Sequence, residues 1–576
     1  MQLPEKLTFR SLLENSASLY SEQPALGFVG QKPLTYNDVN SRAEELTRML
    51  LMLGVRKGDR VALLSQNMPN WGVSYLAVTS MGAVVVPILI DFSDFEISKI
   101  LQHSESKVII VSEKQAYKLQ GVLPKTLKSA ILADDLTEIS LGNLELNGAV
   151  VKAEPRKNKG GALSVPEYPA EDDLAAILYT SGTTGKPKGV MLSHKNILSN
   201  AVSTLGIQDV HPHDRLLSVL PLPHTYECTI GFVIPFMSGA AVSYLDKLPT
   251  PAVLLPAMEE VKPTMMLTVP LIIEKVYQNK VLPKLTGSPL MRGLSKVRAV
   301  KKFFHKMAGK KIYKAFGGHL HFFGIGGSKL SAATERFLRD AGFPYAIGYG
   351  LTETSPLLAG CGPKVTKFQS TGHVLPGQEL RILDPDPYTG EGEIIARGPM
   401  VMMGYYKEPE LTEAVFTKDG WFKTGDLGVM DEDGYLFIRG RIKNIIISPT
   451  GENIYPEDIE AVINSERHVL ESLVYELKGK LVARVHLNYE EIDRRYHELK
   501  ESSGKSYNEM KETAGLLFEQ IQAKAKQRLG EIQQKVNARL SRFSRLTFIE
   551  EQTEPFEKTP TKKIKRFLYL DKKDSR

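Results

Sequence analysis

Apolar positions follow two rhythms along the first third of the chain. Val39, Ala43, Leu46 and Leu50 recur at helical spacing, which predicts a helix over 36–53 with Asn37 as its cap. Short apolar runs predict strands at 60–64, 84–90 and 107–111, with a second helix at 97–103 between the last two. Residues 71–90 carry no charge, the length of a membrane helix. Gly72, Ser74, Thr79, Ser80 and Gly82 dilute that run and Pro87 interrupts its β-branched end, so a buried helix at 71–80 followed by a strand is expected. This βαβα alternation predicts an α/β fold, its mostly parallel sheets layered with helices.

The rhythm continues through the middle third. Strands are expected at 215–219, 265–269, 321–324 and 345–348, and an apolar helix at 230–237 after a loop at 221–227. Beyond Thr366 short strands with turns predict a β subdomain, including a hairpin turn at 431–434. A small α+β unit follows, with a helix at 457–465. Within it Met510, Ala514, Leu517, Ile521, Ala525, Leu529, Ile532, Val536, Leu540 and Phe543 form one long amphipathic seam, which packs on its own domain or serves a partner or membrane surface. We therefore expect two domains, 1–439 and 440–576, the second carrying a helical insertion at about 490–545.

Between the expected strand 174–178 and Gly189 lies a turn rich in hydroxyls, glycines and lysines. Thr180, Ser181, Gly182, Thr183, Thr184, Gly185, Lys186 and Lys188 combine backbone access, hydroxyl donors and charge, the chemistry of a phosphate-binding loop. Pro187 follows Lys186 where a Walker loop would open a helix with Ser or Thr. A solvated connector is the competing reading, which the turn alone does not exclude. Upstream, 152–168 reads as a Lys-, Pro- and Gly-rich linker.

Composition narrows the classes. The net charge is +7, and residues 501–576 hold 17 basic and 11 acidic side chains, so a basic surface is expected there and no nucleic-acid partner. The two cysteines, Cys228 and Cys361, lack metal-ligand spacing. The first twenty residues lack an apolar signal-peptide core, which makes the cytoplasm the expected location, with peripheral contact at the inner membrane surface as an extension.

Five motifs stand in order along the chain: TSGTTGKPKG at 180–189, YGLTET at 349–354, WFKTGDLG at 421–428, GRIKNIIISPTGENIYPEDIE at 440–460 and TPTKKIKR at 559–566. This ordered set resembles the AMP-forming, adenylate-forming superfamily, and within it the long-chain fatty acid–CoA ligases. The resemblance implies a large N-terminal domain with a small mobile C-terminal one. It also implies ATP, Mg²⁺ and coenzyme A as cofactor and co-substrates. Tyr349 and Gly350 would border adenine, Thr352 would contact phosphate, Glu353 would hold Mg²⁺, Asp426 would accept the ribose hydroxyls and Arg441 would add donors nearby. Lys563 would serve adenylation; Lys562 precedes it where the family has a small residue, but TPT and Ile564 align on Lys563. Lys443 matches the hinge, and Gly451 matches a loop lining the thiol path.

The substrate is implied by the same resemblance. His224 matches a residue near the reacting carboxylate, and Gly326 and Gly327 match glycines bordering the acyl pocket. The stretch TIGFVIPFMSGAAV offers no charge to an amino acid substrate, so a fatty acid is expected. An acyl carrier protein is the alternative thiol, and a non-catalytic lipid-binding scaffold the alternative class.

Overall fold

Alternating strands build two large sheets with one helical layer between them and one outside each. The computed structural model describes residues 3–153, 167–181, 187–286, 288–294, 296–448, 452–492, 515–559 and 563–570. An eight-stranded sheet runs in the order Gly404–Tyr405, Pro187–Ser193, Leu174–Ser181, Val84–Ile88, Arg60–Leu64, Val108–Val111, Ser129–Leu132, Glu138–Ile139. A seven-stranded sheet runs Tyr345–Ile347, Phe322–Ile325, Met265–Thr268, Arg215–Ser218, Ala241–Tyr244, Pro24–Phe28, Leu34–Thr35. Neighbours in the middle of both sheets are parallel.

The period-2 pattern decides which core each side chain joins. Val61 and Leu63 enter the core between the sheets, whereas Ala62 and Leu64 enter the outer one. In the other sheet Met265 and Leu267 face inward, and Met266, Phe323 and Ile325 face the outer helices. The uncharged span after Met68 forms the helix Pro69–Ser80, buried from Asn70 to Ser80. It touches both sheets through Pro24–Phe28, Arg60–Leu64 and Val84–Ile88, so every side of it needs apolar or small side chains. Among the described residues no helix is long and apolar enough to cross a membrane.

Several boundaries differ from expectation. The helix at 36–53 spans Tyr36–Met52 and is capped by Thr35, not Asn37. Thr35 Oγ1 accepts from the Asp38 N–H at 3.1 Å and Asp38 Oδ2 accepts from the Thr35 N–H at 2.9 Å, a reciprocal box that Asn37 cannot make from inside the first turn. The β subdomain starts earlier than Thr366, because Tyr349–Gly350 already pairs with Leu357–Gly360. The turn at 431–434 does join the hairpin strands Phe422–Met430 and Leu436–Arg441. Most of the expected linker at 152–168 lies outside the described residues.

After the short turn Ile442–Asn444 the chain forms the helix Pro456–Asn464 and a three-stranded sheet of Val469–Leu477, Lys480–Leu487 and Phe548–Glu551. The strand Leu436–Arg441 runs across position 440, so the first irregular backbone follows Arg441. The helix Gly515–Asn537 buries Ile521, Ala525, Leu529, Ile532 and Val536 in one core with Ile459, Ile463 and Val485. Its seam therefore serves its own fold. Met510, Ala514 and the Leu517 side chain lie outside the described residues. Ile532→Ala is expected to destabilise this core by about 2–5 kcal/mol, while exposed Lys526→Ala changes it by less than about 0.5 kcal/mol. Amide exchange in Val469–Leu477 reads the difference, and equal protection in both variants would refute the packing role.

Candidate active site

The strand predicted at 174–178 extends to Ser181 and folds back as the antiparallel strand Pro187–Ser193. Thr180 pairs with Lys188 and Ser181 with Pro187, so these residues stand on a hairpin and not in a free loop. Gly189 permits the pairing: a Cβ there would lie 2.8 Å from Ile177 Cγ2 and press on the Tyr179 ring. Gly182, Thr183, Thr184, Gly185 and Lys186, between the two strands, lie outside the described residues, as does Gly451.

The second hairpin strand positions a carboxylate. Gly404–Tyr405 adds to its edge, with Tyr405 opposite Val190. From there the Tyr405 hydroxyl donates to Glu353 Oε1 at 2.9 Å, and Lys188 Nζ stands 5.4 Å from the Tyr405 ring centroid. Burial, then the Glu353 charge, pushes the Tyr405 hydroxyl's pKa up, which keeps it a proton donor. Glu353 sits in the turn Thr352–Thr354, with Thr352 opening it. The preceding Gly350 is required sterically: a Cβ there would fall 1.8 Å from the Pro356 carbonyl oxygen, which accepts the Leu351 N–H at 3.0 Å.

Asp426, in the middle of Phe422–Met430, is directly opposite Arg441 at the end of Leu436–Arg441. Arg441 Nε lies 2.8 Å from Asp426 Oδ1, and the Tyr349 hydroxyl donates to Oδ2 at 2.8 Å. Both carboxylate oxygens are thus engaged in a site where Asp426 is only 5% exposed. Burial raises its pKa, against the opposing effects of Arg441 and Tyr349.

Cations crowd around this pair. Lys563 is held in a tight reversal in which its N–H donates to Thr559 Oγ1 at 3.1 Å and its carbonyl accepts from the Thr559 N–H at 2.7 Å. Three residues on, Arg566 anchors that reversal to the Glu460 carboxylate through two contacts of 2.6 Å. The Lys563 side chain keeps solvent access but is surrounded by protein across the cleft. That crowding, then Arg441, lowers its pKa, while Asp426 and Glu353 oppose the shift. Lys443 is lowered as well, by burial, then by Arg441 and Lys188. Among the described residues no carboxylate lies within ion-pair distance of Lys188, Lys443 or Lys563. Four cations share one cleft with too little negative charge.

His224 closes the opposite wall. Burial, then the Lys563 charge, pushes its pKa down to about 4, so the ring is neutral at pH 7. It precedes a π-helix, Tyr226–Val233, that continues as Ile234–Ser238; the helix expected at 230–237 starts earlier and the loop before it is shorter. The Tyr226 ring lies against Gly326, where a Cβ would approach Cζ to 3.1 Å, and its hydroxyl is as close to the Cβ position of Gly324. Gly327 has φ +88°, which glycine alone adopts readily, and Val269 is its nearest neighbour. Glu227 is buried beside them; it accepts from Ser218 at 2.5 Å and burial pushes its pKa up to about 8. Sequence reasoning missed Tyr405, Tyr226 and Glu227. The aromatic after Gly404 and the two residues after Thr225 were the only local signals.

The donor set suits a weakly held magnesium ion. No group of three or more metal-ligating side chains occurs among the described residues, and Glu353 offers a hard oxygen ligand beside Tyr405. Mg²⁺ is commonly held by one or two carboxylates with substrate phosphates and water, which this arrangement fits.

Residues 13–406 match the family model of the AMP-binding enzymes. The long-chain-fatty-acid–CoA ligase FadD15 of Mycobacterium tuberculosis is 32% identical over 456 residues, spanning 74% of this chain and 72% of that protein. A long-chain-fatty-acid–CoA ligase of Bacillus subtilis is 30% identical over 502 residues, 82% of this chain and 83% of that one. In fold, the ATP-bound structure of MatB from Rhodopseudomonas palustris aligns with a TM-score of 0.72 at 23% identity, covering 98% of each chain. The family match takes in the hairpin, Glu353 and Tyr405, and the protein belongs to the AMP-binding enzyme family.

Proposed function

We propose that this protein is an AMP-forming long-chain fatty acid–CoA ligase. The observation that carries the reading is the cleft in which Lys188, Arg441, Lys443 and Lys563 converge around Asp426 and Glu353. Such an excess of positive charge is relieved by a polyanion, and ATP supplies one. The acyl-CoA ligase activity of the relatives supports the rest.

In the first half-reaction a carboxylate oxygen of the fatty acid attacks the α-phosphorus of ATP. The new bond is C(O)–O–P, the bond to the β-phosphate oxygen breaks, and pyrophosphate leaves. Lys563 and Arg441 stabilise charge growing on the α-phosphate. Asp426, held by Tyr349 and Arg441, accepts the ribose hydroxyls, while Tyr349 and Gly350 border adenine. Thr352, Thr180, Ser181 and the glycine-rich turn donate to phosphate oxygens. Mg²⁺ bound at Glu353 would neutralise phosphate charge, and Tyr405 orients that carboxylate. Neutral His224 lies beside the reacting carboxylate, and Gly326 and Gly327 leave room for the acyl chain past Tyr226.

In the second half-reaction the CoA sulfur attacks the acyl carbon and AMP departs. We assign this step to a second orientation of residues 440–576, reached by rotation about Lys443. Lys563 then withdraws and the loop containing Gly451 lines the thiol path. Contacts that hold the first orientation are Lys329 to Asp458, Gln278 to the Asn464 carbonyl and Tyr455 to Glu391, each 2.5 Å long. An acyl carrier protein is the competing thiol. The cytoplasm, with contact at the inner membrane surface, is the location this chemistry suits.

Pyrophosphate release from ATP, measured with acetate, octanoate and palmitate with and without CoA, tests the assignment. Palmitate-dependent release followed by palmitoyl-CoA is expected; release that stalls with CoA would favour a carrier protein, and no release with any acid would refute ligase activity.

Two substitutions dissect the site. Lys563→Ala should slow adenylate formation by about 10²-fold or more while sparing thioester formation from supplied palmitoyl-adenylate. Because the Lys563 pKa is lowered, kcat/KM for ATP should decline with rising pH earlier than an ordinary lysine would allow, and Lys563→Arg should move that limb upward. Equal loss of both half-reactions in Lys563→Ala would refute the role. Tyr405→Phe removes the donor to Glu353 and should raise the Mg²⁺ concentration for half-maximal activity with little change in thermal stability; an unaltered Mg²⁺ dependence would separate Tyr405 from the metal.

A further inference from the structure

The chain's positive charge is concentrated where the site does not use it. Residues 271–315 contain twelve Lys and Arg and one carboxylate, Glu274, a net +11 in a chain whose total is +7. Glu274 is turned inward, accepting from the Ser331 N–H at 2.8 Å, and so leaves the surface charge uncompensated. The centre of this segment is the helix Arg298–Ala315, which has seven basic residues and no acidic one. Its inner face is anchored by His305, Gly309 and Ile312, and a Cβ at Gly309 would lie 2.4 Å from that of Ala341. Its outer face exposes Lys302, Lys306, Lys310, Lys311 and Lys314, none of which has an ion-pair partner among the described residues.

Apolar side chains are interleaved with those cations. Phe303 is 60% exposed and Met307 45%, and Val297, at 53%, precedes the helix. Beside them a hollow of about 40 Å³ is lined by Val281, Leu285, Phe304 and Met307 and rimmed by Lys284 and Lys311. An ordinary solvated helix balances its charges with carboxylates and keeps phenylalanine inside. Cations mixed with exposed large apolar groups on one face suit an interface in which anionic headgroups meet acyl chains. The segment also begins at Pro270, directly after Val269, which packs beside Gly327 at the candidate site.

We propose that this face, centred on the helix Arg298–Ala315, docks the enzyme on an anionic lipid surface. Lys302, Lys306 and Lys310 meet headgroup phosphates, and Phe303 and Met307 enter the interface. The proposal deepens the membrane contact in the functional reading by placing it here and not on the basic region 501–576, where much of the apolar seam is consumed by the protein's own core.

Sedimentation of the full chain with vesicles tests it, comparing phosphatidylcholine alone with phosphatidylcholine containing about one-third phosphatidylglycerol. Binding should favour the phosphatidylglycerol vesicles and weaken as salt rises from about 0.1 to about 0.5 M. K302E/K306E/K310E should lower partitioning at least tenfold, and Phe303→Ser should lower it severalfold. Palmitoyl-CoA formation from detergent-dispersed palmitate should stay unchanged in both variants, which separates loss of docking from failure of the ligase reading and from misfolding. Absence of binding by the wild type, undiminished binding by the triple variant, or a larger loss in K526E/K535E would each overturn the proposal. Displacement from vesicles by a duplex oligonucleotide, with equal loss of oligonucleotide binding in the triple variant, would reassign the face to a nucleic acid and overturn it as well.

Discussion

The ion pair between Asp426 and Arg441 is the contact on which the candidate site depends. It is made between directly opposed residues of two hydrogen-bonded strands, so backbone register sets its geometry before either side chain chooses a rotamer. Tyr349 adds the second partner from a different sheet, which ties the three-stranded sheet that begins at Tyr349–Gly350 to the four-stranded sheet carrying Asp426 through one carboxylate. Arg441 is also the last residue before the irregular turn Ile442–Asn444. A group proposed for the nucleotide site therefore stands at the start of the connection proposed to swing.

Electrostatics bears on the two proposed orientations. Lys563 is brought close to Arg441 without an ion-paired carboxylate among the described residues, and its pKa is lowered first by the surrounding protein and then by that repulsion. A bound polyphosphate offsets the repulsion, and departure of pyrophosphate removes much of the offset. Among the described residues, the contacts of the proposed C-terminal unit at Lys329, Gln278 and Tyr455 are polar and can exchange for water. The half-buried pair of Arg566 with Glu460 lies inside the proposed C-terminal unit and would keep Lys563 presented as that unit moves.

The same layering explains why an uncharged run of membrane length is not one here. Pro69–Ser80 lies between two sheets and is buried from Asn70 to Ser80, so apolar or small side chains are required on all sides. Surface segments show the opposite compromise. Arg298–Ala315 anchors only a narrow stripe, leaving its outer face to carry charge and exposed aromatic surface.

Much of the architecture was legible from periodicity, because a period of two or of three to four is imposed locally by strand and helix geometry. The strands at Arg60–Leu64 and Met265–Thr268, the buried helix Pro69–Ser80 and the turn at 431–434 all follow from near neighbours in sequence. The ordered motifs likewise identified Glu353, Asp426, Arg441 and Lys563 as residues to examine. Where those residues meet was beyond the sequence. Tyr405 reaches Glu353 only because Gly404–Tyr405 pairs with a strand more than 200 residues earlier, and Lys563 comes near Arg441 only through the packing of segments more than 100 residues apart in sequence. Tyr226 beside Gly326, and the unpaired cations of the outer helix, are equally products of tertiary placement, since sequence records which groups exist while packing decides which of them remain without a partner.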